Sequence, residues 1–75
     1  DEIYLTNLEF RLLRLLKNRP GYVFQNEEII RTVWGITDTS DQTALKNVVY
    51  RLRKKLGAKR EYMIQTAPGG YSFQD

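Results

Sequence analysis

The sequence predicts a mainly α, α+β fold: three helices followed by a C-terminal β-hairpin. Three observations carry this. Apolar residues recur at helical spacing in three stretches, each followed by Gly or Pro. Beyond Arg60 the pattern changes to two β-prone runs, Tyr62-Met63-Ile64-Gln65-Thr66 and Tyr71-Ser72-Phe73, separated by the turn signal Ala67-Pro68-Gly69-Gly70. Half of the twelve Lys and Arg side chains crowd into NVVYRLRKKLGAKR, Asn47 to Arg60, a stretch with no anion. At 75 residues the chain has room for one domain with a modest core.

The first helix starts at Leu5-Thr6-Asn7-Leu8-Glu9-Phe10. Thr6 at the N-cap and Glu9 three residues on form a capping box, and Leu5 and Phe10 stand at the staple positions. Leu12, Leu13 and Leu16 continue the apolar face until Asn18-Arg19-Pro20-Gly21 ends it. Tyr22-Val23-Phe24 predicts a brief strand. A second helix follows from about Asn26 to Trp34, with Glu27 and Glu28 at its positive end and Gly35 as its stop. Gln25 stands where a Ser or Thr cap is expected, so Asn26 is the alternative cap. Trp34 reads as a core aromatic.

A loop, Ile36 to Thr39, leads to a third helix over about 40–56. Thr39 and Gln42 offer another capping box, Asp41 lies in the expected first turn, and Gly57 ends the helix. Leu45, Val48, Val49, Leu52 and Leu56 fall on one stripe at 100° per residue. Thr43, Asn47, Tyr50, Arg51 and Lys54 fall opposite, flanked by Lys46, Arg53 and Lys55. Glu2-Ile3-Tyr4-Leu5 is a candidate short strand at the N-terminus.

Helix, short strand, helix, loop, basic helix, hairpin is the order of a winged helix-turn-helix. Charge gives that order a meaning. Residues 41–60 hold seven cations against the single anion Asp41, whereas the rest holds five cations against eight anions. Such polarity steers a polyanion and orients it. A helix of this length, about 22 Å, fits a B-DNA major groove. Asn47 is the leading base reader, because its amide can pair bidentately with adenine, and Arg51 can do so with guanine. Thr43 and Tyr50 are further base-contact candidates, although Tyr50 can equally pack at the helix corner. Lys46, Arg53, Lys54, Lys55, Lys59 and Arg60 are the candidate phosphate contacts, joined by Thr66 on the hairpin.

Other chemistry finds little support. The sequence has no Cys and no His, which removes thiolate ligands, the usual general base and the usual metal ligand. No cofactor and no catalysis are expected. Apolar runs are too short to span a membrane, and the inward stripe of the third helix leaves no lipid-facing surface. The lack of Cys fits a cytoplasmic protein. A different reading of the basic face is a protein-interaction module docking an acidic partner.

The stretches LTNLEFRLLRLLKNRPGYVF, EEII…VWG, YRLRKKL and IQTAPGGYSF together resemble the C-terminal effector domain of OmpR/PhoB-type response regulators, over residues 5–73. The resemblance implies an output domain of a bacterial transcriptional regulator, cut from a longer chain, with duplex DNA as its partner. It also implies a third helix in the major groove, a hairpin wing in the adjacent minor groove, and head-to-tail dimers on tandem half-sites. The loop Gly35, Ile36, Thr37, Asp38, Thr39, Ser40 becomes a candidate RNA polymerase contact. One departure stands out. The family's wing commonly reads like VRGxGYRF, whereas here Pro68 takes the Arg position in a loop one residue shorter.

Overall fold

Thr6 and Glu9 meet as their spacing requires. The Thr6 N–H donates to Glu9 Oε1 at 3.0 Å, and the Glu9 N–H donates to Thr6 Oγ1 at 3.2 Å. This reciprocal box opens α1 (Asn7–Lys17) in the computed structural model, which describes residues 4–75. The expected staple is not buried, because Phe10 is 53% exposed while Leu5 packs against the core. Of the expected N-terminal strand, Glu2 and Ile3 lie outside the described residues, and Tyr4 and Leu5 belong to no strand.

The chain then turns through Pro20, with the Tyr22 N–H donating to Arg19 O at 3.0 Å. That turn holds Tyr22 out of the sheet, so the strand expected over residues 22–24 is shifted: β1 is Phe24–Gln25. It leads directly into α2 (Asn26–Trp34), which stops at Gly35 in the left-handed conformation, φ 71°. No side chain caps α2. The amide of Asn26 instead donates to Gln42 Oε1 at 3.0 Å, tying the start of α2 to the start of the next helix.

The third helix, α3 (Thr43–Leu56), begins three residues later than the spacing predicts. Asp38 and Asp41 explain the delay. Asp38 Oδ1 accepts from the Ser40 N–H and hydroxyl, and Asp41 Oδ1 accepts from the Thr43 N–H. These Asx-type turns hold residues 38–42 in non-helical backbone, and the Thr39/Gln42 capping box does not form.

After Gly57 a turn of 3₁₀ helix, Glu61–Met63, takes up Tyr62 and Met63, so the first strand of the hairpin is shorter than predicted: β2 is Ile64–Ala67. Its partner β3 is Gly70–Phe73, so Ala67 and Gly70 are strand residues and only Pro68-Gly69 turns. Pro first and Gly with φ 75° second suit a type II turn. The sheet order is β1-β3-β2, all antiparallel, with Phe24 and Thr66 flanking Tyr71 across the ladder.

One core joins these elements. It takes Leu12 and Leu16 from α1, Ile29, Ile30 and Val33 from α2, Leu45, Val48, Val49 and Leu52 from α3, and Phe24, Ile64, Tyr71 and Phe73 from the sheet. Burying each large aliphatic side chain is worth about 1.5–3 kcal/mol. Four such residues on one stripe of α3 leave that helix a single way to face.

Candidate nucleic-acid interface

With the stripe turned inward, the opposite face of α3 meets solvent. Thr43, Lys46, Asn47, Tyr50, Arg51 and Lys54 are all exposed along it. Tyr50 does not pack at a corner: it is 60% exposed, with the Lys54 ammonium 5.1 Å from its ring centre. A hydrogen bond to the Tyr50 side chain raises the Lys54 pKa, so Lys54 keeps its charge. Lys59 and Arg60 stand exposed in the turn after the helix.

Three of the predicted phosphate contacts, Arg53, Lys55 and Thr66, are hydrogen-bonded inside the fold. Arg53 donates from Nε and Nη2 to Ile64 O at 3.1 and 2.7 Å, and from Nη2 to Thr66 Oγ1 at 2.7 Å. It therefore bolts α3 to the hairpin. Because Thr66 Oγ1 accepts from Arg53, its own hydroxyl hydrogen is left to donate outward. Lys55 reaches the other way, donating to Glu9 Oε1 at 2.7 Å on α1. Arg51 Nε lies 3.5 Å from Glu9 Oε2, with 54% of the Arg51 side chain exposed.

Glu9 itself has no exposed surface. Burial pushes its carboxyl pKa up. The hydrogen bonds from Lys55 and the Thr6 N–H, with the charges of Lys55 and Arg51, outweigh that and hold it below the ordinary 4.5. The capping pattern alone marked Glu9 as a helix-start residue and missed this role. A signal was present: Glu9 stands three, four and seven residues before Leu12, Leu13 and Leu16, on the inward stripe of α1.

α3 is thus gripped on both flanks, by Glu9 on one side and by the carbonyl of Ile64 on the other. The apolar seam sets which half faces inward, and these polar braces set the remaining roll about the helix axis. At the opposite end, the loop from Gly35 to Ser40 is exposed except at half-buried Thr39. Half-buried Trp34 packs against the core and, with Ile30, Ile36, Asp38, Asp41 and Leu45, lines a shallow groove beside that loop. Hydrogen bonds from Ser40 hold the Asp38 carboxyl below its usual pKa, and those from Thr43 do the same for Asp41. No helix among the described residues is long and apolar enough to cross a membrane.

Three helices with a small antiparallel sheet, presenting one basic helix beside a hairpin, define a winged helix-turn-helix domain. The family model described as "Transcriptional regulatory protein, C terminal" matches residues 1–73, and the chain belongs to that family. It is 36% identical over 72 residues to the uncharacterized transcriptional regulatory protein YclJ of Bacillus subtilis, covering 95% of this chain and 32% of YclJ. It is likewise 36% identical over 78 aligned positions to the transcriptional regulatory protein SrrA of Staphylococcus aureus, covering 99% of this chain and 32% of SrrA. The chain therefore spans about a third of the length of these curated relatives. Among solved structures, the C-terminal DNA-binding domain of the RstA protein from Klebsiella pneumoniae superposes with a TM-score of 0.79 at 28% identity. The match covers 96% of this chain and 68% of that one.

Proposed function

We propose that this domain binds duplex DNA sequence-specifically as the output domain of a bacterial transcriptional regulator of the two-component response-regulator type, working in the cytoplasm. α3 enters the major groove and the β2–β3 hairpin lies alongside as the wing. The observation that carries the reading is the outer face of α3, where Asn47 and Arg51 stand exposed between Lys46 and Lys54 while the opposite stripe is sealed in the core. Asn47 and Arg51 read base edges, with Thr43 and Tyr50 beside them. Lys46, Lys54, Lys59, Arg60 and the Thr66 hydroxyl hold phosphates. Arg53 and Lys55 serve as braces of the helix rather than as phosphate contacts.

The finer assembly follows the family. Two copies sit head to tail on tandem half-sites, and the Gly35–Ser40 loop, with exposed Ile36 and Asp38, faces RNA polymerase. Family membership and the exposure of that loop support these assignments. The residues 1–75 act as one effector module of a longer regulator.

Selection of bound duplexes from a random pool tests the reading. The wild-type domain is expected to enrich a defined site. Asn47→Ala is expected to lose about 1–3 kcal/mol on that site and to relax preference at one position. A pool that enriches nothing overturns DNA recognition, and binding that acidic polypeptides displace better than duplex DNA assigns the basic face to a protein partner instead.

A further inference from the structure

The cap of α1 needs only one oxygen of Glu9. Oε1 accepts both the Thr6 N–H and the Lys55 ammonium. Oε2 is buried, receives no hydrogen bond, and faces Arg51 Nε at 3.5 Å. A carboxylate with no exposed surface holds its cations firmly, since separating them would leave an uncompensated buried charge. Both cations come from α3, four residues apart, on the flank that turns toward α1. The contact engages Arg51 through Nε and leaves its two terminal nitrogens uncommitted among the described residues. Those nitrogens form the fork that a guanine edge accepts.

We propose that Glu9 is a specificity-determining positioning residue. Its buried carboxylate holds the Nε edge of Arg51 so that only the terminal fork meets a base pair, and it withholds the Lys55 charge from the DNA backbone. This rests on the DNA-binding reading above and deepens it. An internal anion beside a reading helix weakens attraction for a polyanion. Its effect here is selective: it lowers affinity for any sequence, through Lys55, while fixing the geometry that discriminates one base, through Arg51. Affinity without information is thereby traded for information.

The test uses the 75-residue chain, the duplex enriched from the random pool, a scrambled duplex of the same composition, and a salt titration on each. Arg51→Met marks the base pair that Arg51 reads. Glu9→Gln keeps the side-chain size and an amide oxygen for the Thr6 cap. It is expected to lose about tenfold of the preference at that base pair. It is also expected to bind the scrambled duplex more tightly, with a salt slope steeper by about one unit as Lys55 is released. In an Arg51→Met background, Glu9→Gln should remove no further preference, whereas damage to the fold would weaken both duplexes alike in either background. Lys55→Met removes one partner of the buried carboxylate and is expected to lower stability, but the folded variant should leave the salt slope as it was, which tests the withheld Lys55 charge independently of Glu9→Gln. A slope that falls by one unit in Lys55→Met overturns the proposal, as does a folded Glu9→Gln with full base preference. A wild-type domain that binds neither duplex overturns this proposal and the DNA-binding reading together. Wild-type enrichment with an indifferent Glu9→Gln overturns this one alone.

Discussion

Glu9 occupies a position that two local patterns claim at once. As the fourth residue of a capping box it belongs at the surface of a helix start. As a member of the 9, 12, 13, 16 stripe it belongs in the core. The structure satisfies both by bringing Lys55 and Arg51 across from α3, which makes a buried carboxylate tolerable. A stability consequence follows. The folded carboxyl titrates below 4.5 and the unfolded one near it. The pairing thus stabilises the fold fully above that value, and this contribution drains away as pH falls through the folded pKa. Urea midpoints measured from about pH 6 to about pH 3 should therefore drop for the wild-type domain. For Glu9→Gln the midpoint should start lower and fall less steeply. Asp38 and Asp41, also held below their usual pKa values, steepen both profiles in the same way.

The hairpin is the element where small residues decide geometry. A Cβ on Gly70 would sit 2.1 Å from Phe24 O and 2.9 Å from Phe24 C, so β1 can approach β3 only because position 70 has no side chain. Gly70→Ala must push one backbone off another. Denaturant titration should show a loss of about 2–3 kcal/mol, within the range of overpacked cores, with protection lost first at the β1–β3 amides. The turn beyond it is short, and exposed Pro68 stands at its tip. Pro68→Arg adds a cation where the family's wing usually carries one. It is expected to tighten DNA binding at a stability loss of up to about 1 kcal/mol, because Pro68 pre-sets the first central position of the turn; unchanged affinity would mean that the wing tip does not reach the duplex.

The molecule as a whole leaves fewer cations free on its basic side than the residue count suggests. Seven cations lie in residues 41–60, but Arg53 is spent on Ile64 and Thr66, and Lys55 on Glu9. On the reading proposed above, the exposed Lys46, Lys54, Lys59 and Arg60 are left to hold phosphates, and Arg51 to read a base. Each neutralised phosphate contributes about −0.9 to the slope of log K against log salt, so four contacts predict about −4 for one domain on a single half-site. Six would give a slope beyond −5. A measured value near the steeper figure would return Arg53 and Lys55 to the DNA backbone.

The sequence by itself determined the helices, their stops at Gly35 and Gly57, the hairpin, and the inward and outward faces of α3, because periodicity and capping act within one or two helical turns. It missed by three residues the start of α3, where Asp38 and Asp41 bind nearby backbone groups more locally than a capping box does. It overextended β2 where the chain turns through Glu61–Met63. What only the tertiary structure decided is which charges stay free. Arg53 and Lys55 look the same as Lys54 in the string RLRKKL, but they meet residues 11 and 46 positions away, and no local pattern records a partner that distant. Long-range packing converts a uniform basic run into two braces and an exposed basic face.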